Sequence, residues 1–166
     1  MKNIIFISLF FFSCNNNSEK MYNSDFSMSD GEHSTTEYKC LKKIVDCGDT
    51  VIYQQMFDKY DDNFHIDEFL AYSLIMANKY DFAQAYYDVF YILTLLPEIN
   101  VKECFYCLDE KTRLFALDYF KQAIYKGNII ASERLLNEFG KNQSYPIEEL
   151  YLDTALIKQA KINITQ

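Results

Sequence analysis

The stretch ALDYFKQAIYKGNIIASERLL, residues 116–136, decides how this chain folds. Its apolar residues return at helical spacing on either side of Lys126-Gly127-Asn128, which predicts two helices joined by a tight turn. Glycine suits the turn because the residue past a helix end takes a left-handed backbone that a Cβ disfavours. Ala123 and Ala131 fall where the two antiparallel helices approach, and short side chains permit that approach. The pattern also occurs earlier in the chain. Laying Ala77 on Ala123 lays Ala85 on Ala131, Val89 on Leu135 and Phe69 on Phe115, with Tyr80 or Asp81 where the later copy has its glycine. A repeat of this kind predicts stacked helix pairs, each covering the face its neighbour leaves open.

The run Ala116, Tyr119, Ala123, Gly127, Ala131 and Leu135 resembles the Sel1-like repeat, a relative of the tetratricopeptide repeat, in its tyrosine, central alanine, turn glycine, second alanine and leucine. Pro97, downstream of Ala85, stands where the closing proline of a tetratricopeptide motif would. The resemblance implies an all-α fold, a short solenoid of antiparallel helix pairs, and a protein-binding scaffold with no catalytic residues to carry across. A non-repeating helical bundle with alanines at its close contacts is the alternative reading of the same residues.

Outward from the repeat, the periodicity predicts about seven helices, with the folded domain spanning residues 38–166. The first runs from Thr36 to Cys47 and stops at Gly48. The second starts after Asp49 or Thr50. The third, Ile66 to Lys79, lines up Phe69, Tyr72, Ser73, Met76 and Tyr80. The fourth begins at Asp81, whose carboxylate is expected to cap the first turn while Gln84 answers as in a capping box, and it ends at Pro97. The fifth covers Glu110 to Lys126, the sixth Asn128 to Phe139, and the seventh Pro146 to Ala160. With 14 Tyr, 14 Phe, 4 Gly, 2 Pro and no Trp, the composition suits long helices and few sharp breaks.

The chain opens MKNIIFISLFFFSC. Lys2 and the apolar run Ile4 to Phe12 read as a signal peptide over residues 1–14, too short for a permanent span, which needs about 20 apolar residues. Phe11, Phe12, Ser13 and Cys14 resemble the bacterial lipobox, with Phe11 in place of the usual leucine. That resemblance implies acylation of Cys14 and a lipid anchor in the bacterial cell envelope. Asn15 after the cysteine implies the outer membrane, facing the periplasm. Residues 15–37 are polar and without period, and read as a flexible tether. About 150 residues remain after the signal, the size of one domain.

A net charge of −8, with no basic cluster beyond Lys42-Lys43, argues against nucleic acid as a partner. Cys40, Cys47, Cys104 and Cys107 are an even set in an exported chain and are disulfide candidates. Cys40 and Cys47 stand two helical turns apart, roughly 10 Å, too far to bridge within a continuous helix, so cross-pairing of the clusters or thiols fits them better. Cys104-Phe-Tyr-Cys107 admits a local disulfide, reduced structural cysteines or a zinc site with the other pair. A redox motif of that spacing normally opens a helix after a strand, which this chain lacks.

Asp58, Asp61, Asp62, Asn63, Asp67 and Glu68 look like a calcium loop, yet no register satisfies one, and they read as a solvated helix start. His65 has no second ligand at metal spacing, so no metal and no cofactor is expected. Asp109-Glu110 and Glu148-Glu149 sit at helix starts, where carboxylates favour the dipole. No nucleophile motif, phosphate loop or cofactor fingerprint appears, and no enzyme is expected. The Asn163-Ile-Thr165 sequon, and the triplets starting at Asp49 and Asp153, read as glycan acceptors or as helix caps. Tyr87 and Tyr91, one turn apart and off the core stripe of the fourth helix, are partner-binding candidates if exposed; packing against the next helices is the other reading.

The expectation is a lipid-anchored envelope module that binds another protein, a toxin or an envelope component, through its repeat surface. Its pointed form is an immunity protein neutralising a secreted toxin. The alternatives are an envelope hydrolase and a structural subunit of an outer-membrane complex.

Overall fold

The computed structural model describes residues 30–63, 65–95, 105–143 and 146–165, and among them the fold is all-α, with no strand. Eight helices follow in order: α1 Asp30–Cys47, α2 Thr50–Asp62, α3 Leu70–Tyr80, α4 Ala83–Thr94, α5 Glu110–Tyr125, α6 Ile129–Asn137, α7 Glu148–Tyr151 and α8 Thr154–Asn163. Short 3-10 turns at Ile66–Phe69 and Phe105–Cys107 lead towards α3 and α5. None of the described helices is long and apolar enough to cross a membrane.

Side-chain caps fix four of the eight described helix starts. Asp49 accepts from the Ile52 amide, Asp109 from Lys111 and Thr112, Asn128 from Ala131, and Asp153 from Leu156. Each satisfies amides that a first turn leaves without a partner in the helix. The Asp153 cap explains why the expected seventh helix divides in two: its carboxylate starts α8 just after α7 has ended. At the other end of the chain, α1 begins at Asp30, within the stretch read as a tether. Glu37, in the first half of α1, accepts from Lys59 Nζ at 2.9 Å and Tyr60 Oη at 2.7 Å, which ties that half to α2.

Asp81 departs from its expected role. It sits past the end of α3 with φ of 55°, the left-handed conformation that Gly127 takes at φ of 87° in the later copy. The N-cap of α4 is therefore Phe82, which has no side-chain cap bond, and the Asp81–Gln84 capping box does not form. The Asp81 carboxylate instead accepts from Lys126 Nζ at 2.7 Å and from Tyr86 Oη at 3.2 Å.

Packing runs from pair to pair. Within pairs, α1 meets α2, α3 meets α4 and α5 meets α6; between pairs, α2 meets the 3-10 turn before α3, α4 meets α5, and α6 meets α8. Two hydrophobic cores result, and α4 contributes to both: Val89 and Ile92 face the first, Tyr87 and Phe90 the second. In the first core, Tyr53, Phe57, Tyr60 and Tyr72 surround Phe69 at 5.1–5.9 Å between ring centroids. In the second, Phe90, Phe120 and Phe139 pack mutually at 4.5–5.9 Å. Such aromatic pairs add about 1 kcal/mol each beyond their buried area.

The repeat holds in the second helix of each copy and slips by one residue in the first. Ala85, Val89, Ala131 and Leu135 are all buried, as aligned. Phe69, however, is fully buried while Phe115 is 44% exposed. The buried set Phe69, Ser73, Met76 and Ala77 matches Ala116, Phe120, Ala123 and Ile124 instead. The turns show why. The later copy closes with Asn128 N–H bonding Ala123 O, the earlier with Phe82 N–H bonding Met76 O, which encloses one more residue.

The three turns and the end of α8 share one edge. Tyr80 Oη and Lys79 Nζ, at the end of α3, donate to Val45 O near the end of α1 at 2.7 and 2.9 Å. Lys126 reaches Asp81, and Asn128 Nδ2 donates to Gln84 Oε1 at 2.8 Å. Asn163 Nδ2 donates to Ile124 O at 2.7 Å and to Ser132 Oγ at 2.9 Å, which seats the end of α8 on the α5–α6 turn.

Candidate functional site

Tyr87 and Tyr91 are brought together, with ring centroids 6.3 Å apart, but neither is a free-standing aromatic. Tyr87 is 8% exposed, which removes the condition on which it was a partner-binding candidate. Its hydroxyl accepts from Arg134 Nη1 at 3.0 Å, and the same guanidinium lies 4.9 Å from the Phe139 ring centroid and pairs with Glu138 at 2.8 Å. Tyr87 therefore fastens α4 to α6. Tyr91 is half-buried beside Phe57, and its hydroxyl donates to Asp61 at 3.3 Å. Burial raises the Asp61 carboxyl, the Tyr91 bond lowers it, and the Asp62 and Asp58 charges add to the rise. Both tyrosines pack because α4 has neighbours on two sides.

The large apolar side chains left in solvent on α5 are Leu114 and Phe115 in its first half and Tyr125 at its end. Phe115 packs at a tilt on Tyr119, with ring centroids 4.8 Å apart, and Tyr119 in turn lies 5.7 Å from Tyr86. Asn78 Nδ2 donates to the Tyr119 hydroxyl at 2.6 Å, so α3 holds that ring in place. The outcome is an aromatic platform on the first helix of a pair: an outer ring, Phe115, on a fixed inner ring, Tyr119, with Leu114 beside it. Rigid aromatic area of this kind loses little side-chain entropy when a partner covers it. Spacing alone misses the platform, because the repeat alignment equates Phe115 with buried Phe69.

A buried polar network lies between the helices beneath it. Asp88 of α4 is 1% exposed. Its carboxylate accepts from Tyr53 Oη at 2.7 Å and from Gln84 Nε2 at 2.8 Å, and Ser73 Oγ stands 2.9 Å from the same phenol oxygen. Burial pushes the Asp88 carboxyl up to about 7; the two hydrogen bonds oppose that shift and the Asp58 and Asp61 charges add to it. Burial and the Asp88 charge likewise hold the Tyr53 phenol well above its ordinary value. Gln84 extends the network to Asn128, so three helices and a turn share it.

The remaining candidates are scattered. Cys40 and Cys47 stand on α1 as thiols, and Cys107 is disulfide-bonded. Cys104 and the acylation candidate Cys14 lie outside the described residues, as does the whole signal segment 1–14. His65 is exposed, 3.6 Å from the Glu68 carboxylate. No three His, Cys, Asp or Glu side chains gather as metal ligands among the described residues. Asn163 is 7% exposed with its amide donated inward, so the folded chain withholds it from glycan transfer, and Asp49 and Asp153 serve as helix caps.

The fold and site define an all-α protein that presents an aromatic platform above a buried polar network. No family model, curated protein or solved structure matches the chain.

Proposed function

We propose that the chain is a protein-binding module of the bacterial envelope, built of Sel1/tetratricopeptide-like helix pairs and held to lipid through an acylated Cys14. Its pointed form is an immunity protein that neutralises a secreted toxin. The observation that carries the reading is the platform of Leu114 and Phe115 on Tyr119, large apolar side chains left in solvent on a ring that α3 holds in place. In a pair-by-pair helical array the first helices present one extended surface, and α5 is the first helix of its pair. The acidic chain, at −8, speeds capture of a basic partner at low salt.

Co-expression with the product of each neighbouring gene tests the reading. Protection of the cell that disappears in Phe115→Asp, with the variant's thermal stability retained, supports it. An unprotected cell, with no complex between the purified proteins, removes the immunity form. Labelling with radioactive palmitate, lost in Cys14→Ser, tests the anchor separately.

A further inference from the structure

One part of the edge that collects the helix turns, where the α5–α6 turn meets the end of α8, differs in charge from the rest of this acidic chain. Residues 121–132 and 154–165 meet where Asn163 bonds Ile124 and Ser132, and together they carry Lys121, Lys126, Lys158 and Lys161 with no carboxylate. Two of the four reach acids from outside these segments, Lys121 to Asp153 at 3.5 Å and Lys126 to Asp81 at 2.7 Å. Lys158 and Lys161 pair with none of the described carboxylates. Where α2 ends and α3 is about to begin, residues 58–68 carry Asp58, Asp61, Asp62, Asp67 and Glu68 with one lysine, Lys59, which pairs with Glu37. Asp46 and Asp49 beside Gly48, and Asp81 before α4, stand at the other turns of the same edge, so the basic surface is the corner where α5, α6 and α8 meet.

Apolar side chains accompany the lysines. Tyr125 is 50% exposed and Ile129 54%, and Ile130, Ile162 and Ile164 are exposed with them at the same turn and at the end of α8. Val51, the second residue of α2, is exposed at the same edge. Isoleucine and tyrosine ringed by lysine is the composition that settles at the boundary between acyl chains and anionic headgroups, where apolar burial and charge attraction act together.

We propose that the turn edge, centred on Tyr125, Ile129 and Ile164 with Lys158 and Lys161 at its rim, rests on an anionic lipid surface. The inference rests on the membrane attachment of the proposed function, because one acyl anchor supplies the proximity that lets a modest patch bind. Seated in this way, the acidic segment at the end of α2 points away from the headgroups. The platform at the start of α5, at the far end of that helix from Tyr125, then faces away from the lipid too and stays open to a partner.

The chain has no tryptophan, so a single Tyr125→Trp reports on this edge without background. Tyr106→Trp, beside the start of α5, reports on the far end of that helix. The probe is the full chain on phosphatidylcholine vesicles with and without phosphatidylglycerol, the phosphatidylcholine brominated for quenching. The expected result is a blue shift and bromine quenching at position 125 on anionic vesicles, and neither at position 106. The pair Lys158→Glu and Lys161→Glu then lowers the position-125 response about tenfold at equal lipid. Circular dichroism confirms that the variants fold, and Ile129→Ser repeats the test from the apolar side.

Equal signals at 125 and 106, or a position-125 signal indifferent to phosphatidylglycerol, overturn the proposal. So does a shift that grows with protein concentration in the absence of lipid, together with a doubled mass in light scattering, since a second copy would then cover the edge. Repeating the measurement with Cys14→Ser separates the two readings: a retained position-125 signal in a chain that takes up no palmitate removes the anchor and leaves this edge standing.

Discussion

The Tyr53 hydroxyl donates to Asp88 across 2.7 Å, joining α2 to α4 in the interior, and no cation pairs with that carboxylate among the described residues. Asp88 takes its proton in the folded chain at about 7, against an ordinary value of 3.8. Because the folded value is raised, the stability this group contributes is fully present below about pH 4 and is lost as pH rises through 7. Asp88→Asn removes the titrating group and keeps the shape. We expect the variant to match the parent near pH 4 and exceed it by several kcal/mol at pH 8, measured by urea denaturation. Parallel pH profiles for the two proteins would show instead that the carboxylate is solvated.

Tyr53→Phe acts in the opposite sense. With Tyr53 gone, the ionised carboxylate keeps only Gln84 as donor. Leaving a buried charge short of one bond costs about 2 kcal/mol at pH 8 and less at pH 5, where Asp88 is largely protonated. A loss independent of pH would assign the effect to the neutral bond with Ser73 instead.

Gly48 and Gly127 both have positive φ, 66° and 87°, but their surroundings differ. A Cβ on Gly48 would overlap the Tyr80 ring, whereas one on Gly127 meets nothing within 4 Å. Gly127→Ala therefore costs the left-handed strain alone, about 1–2 kcal/mol. Gly48→Ala costs that plus displacement of a ring that bonds Val45, roughly 3 kcal/mol or more. The ratio of the two losses, read from urea midpoints, checks the α1–α3 contact directly.

Phe69 and Phe115 separate stability from function. Phe69→Ala empties a site enclosed by four aromatic rings and is expected to cost about 3–5 kcal/mol. Phe115→Ala removes a half-solvated ring and is expected to cost under about 1 kcal/mol while weakening any partner held on the platform. Equal losses would restore the simple repeat alignment and remove the platform.

These two residues also mark where the sequence stops being legible. The all-α class, the alanine contacts at Ala85 and Ala131, and the caps at Asp49 and Asp153 follow from spacing and residue type. The one-residue slip does not, because it arises in the backbone closure from Phe82 to Met76. Asp81 has the residue type of an N-cap, and only its left-handed φ turns its carboxylate to Lys126. Asp88 lies in the run Tyr87 to Phe90, buried on all sides, where a single apolar stripe would place a carboxylate in solvent. The sandwiching of α4 between two cores buries it, and that is a tertiary fact.

Asn163 gives the last test. Its amide is the buried polar link from α8 to both helices of the preceding pair, reaching Ile124 O and Ser132 Oγ while Ser132 donates on to Asn128 O. Asn163→Ala leaves the Ile124 carbonyl short of a donor inside the fold, which costs about 1–3 kcal/mol. The loss should concentrate at the end of α8, appearing in hydrogen exchange as faster opening of residues 160–164 than of α3. Asn163→Asp is the sharper variant, since it keeps the size but aims a carboxylate at a carbonyl, and it should destabilise more at pH 8 than at pH 4. If instead both variants leave α8 protected, Leu156 and Ala160 alone hold the helix, and the basic corner no longer depends on the asparagine for its shape.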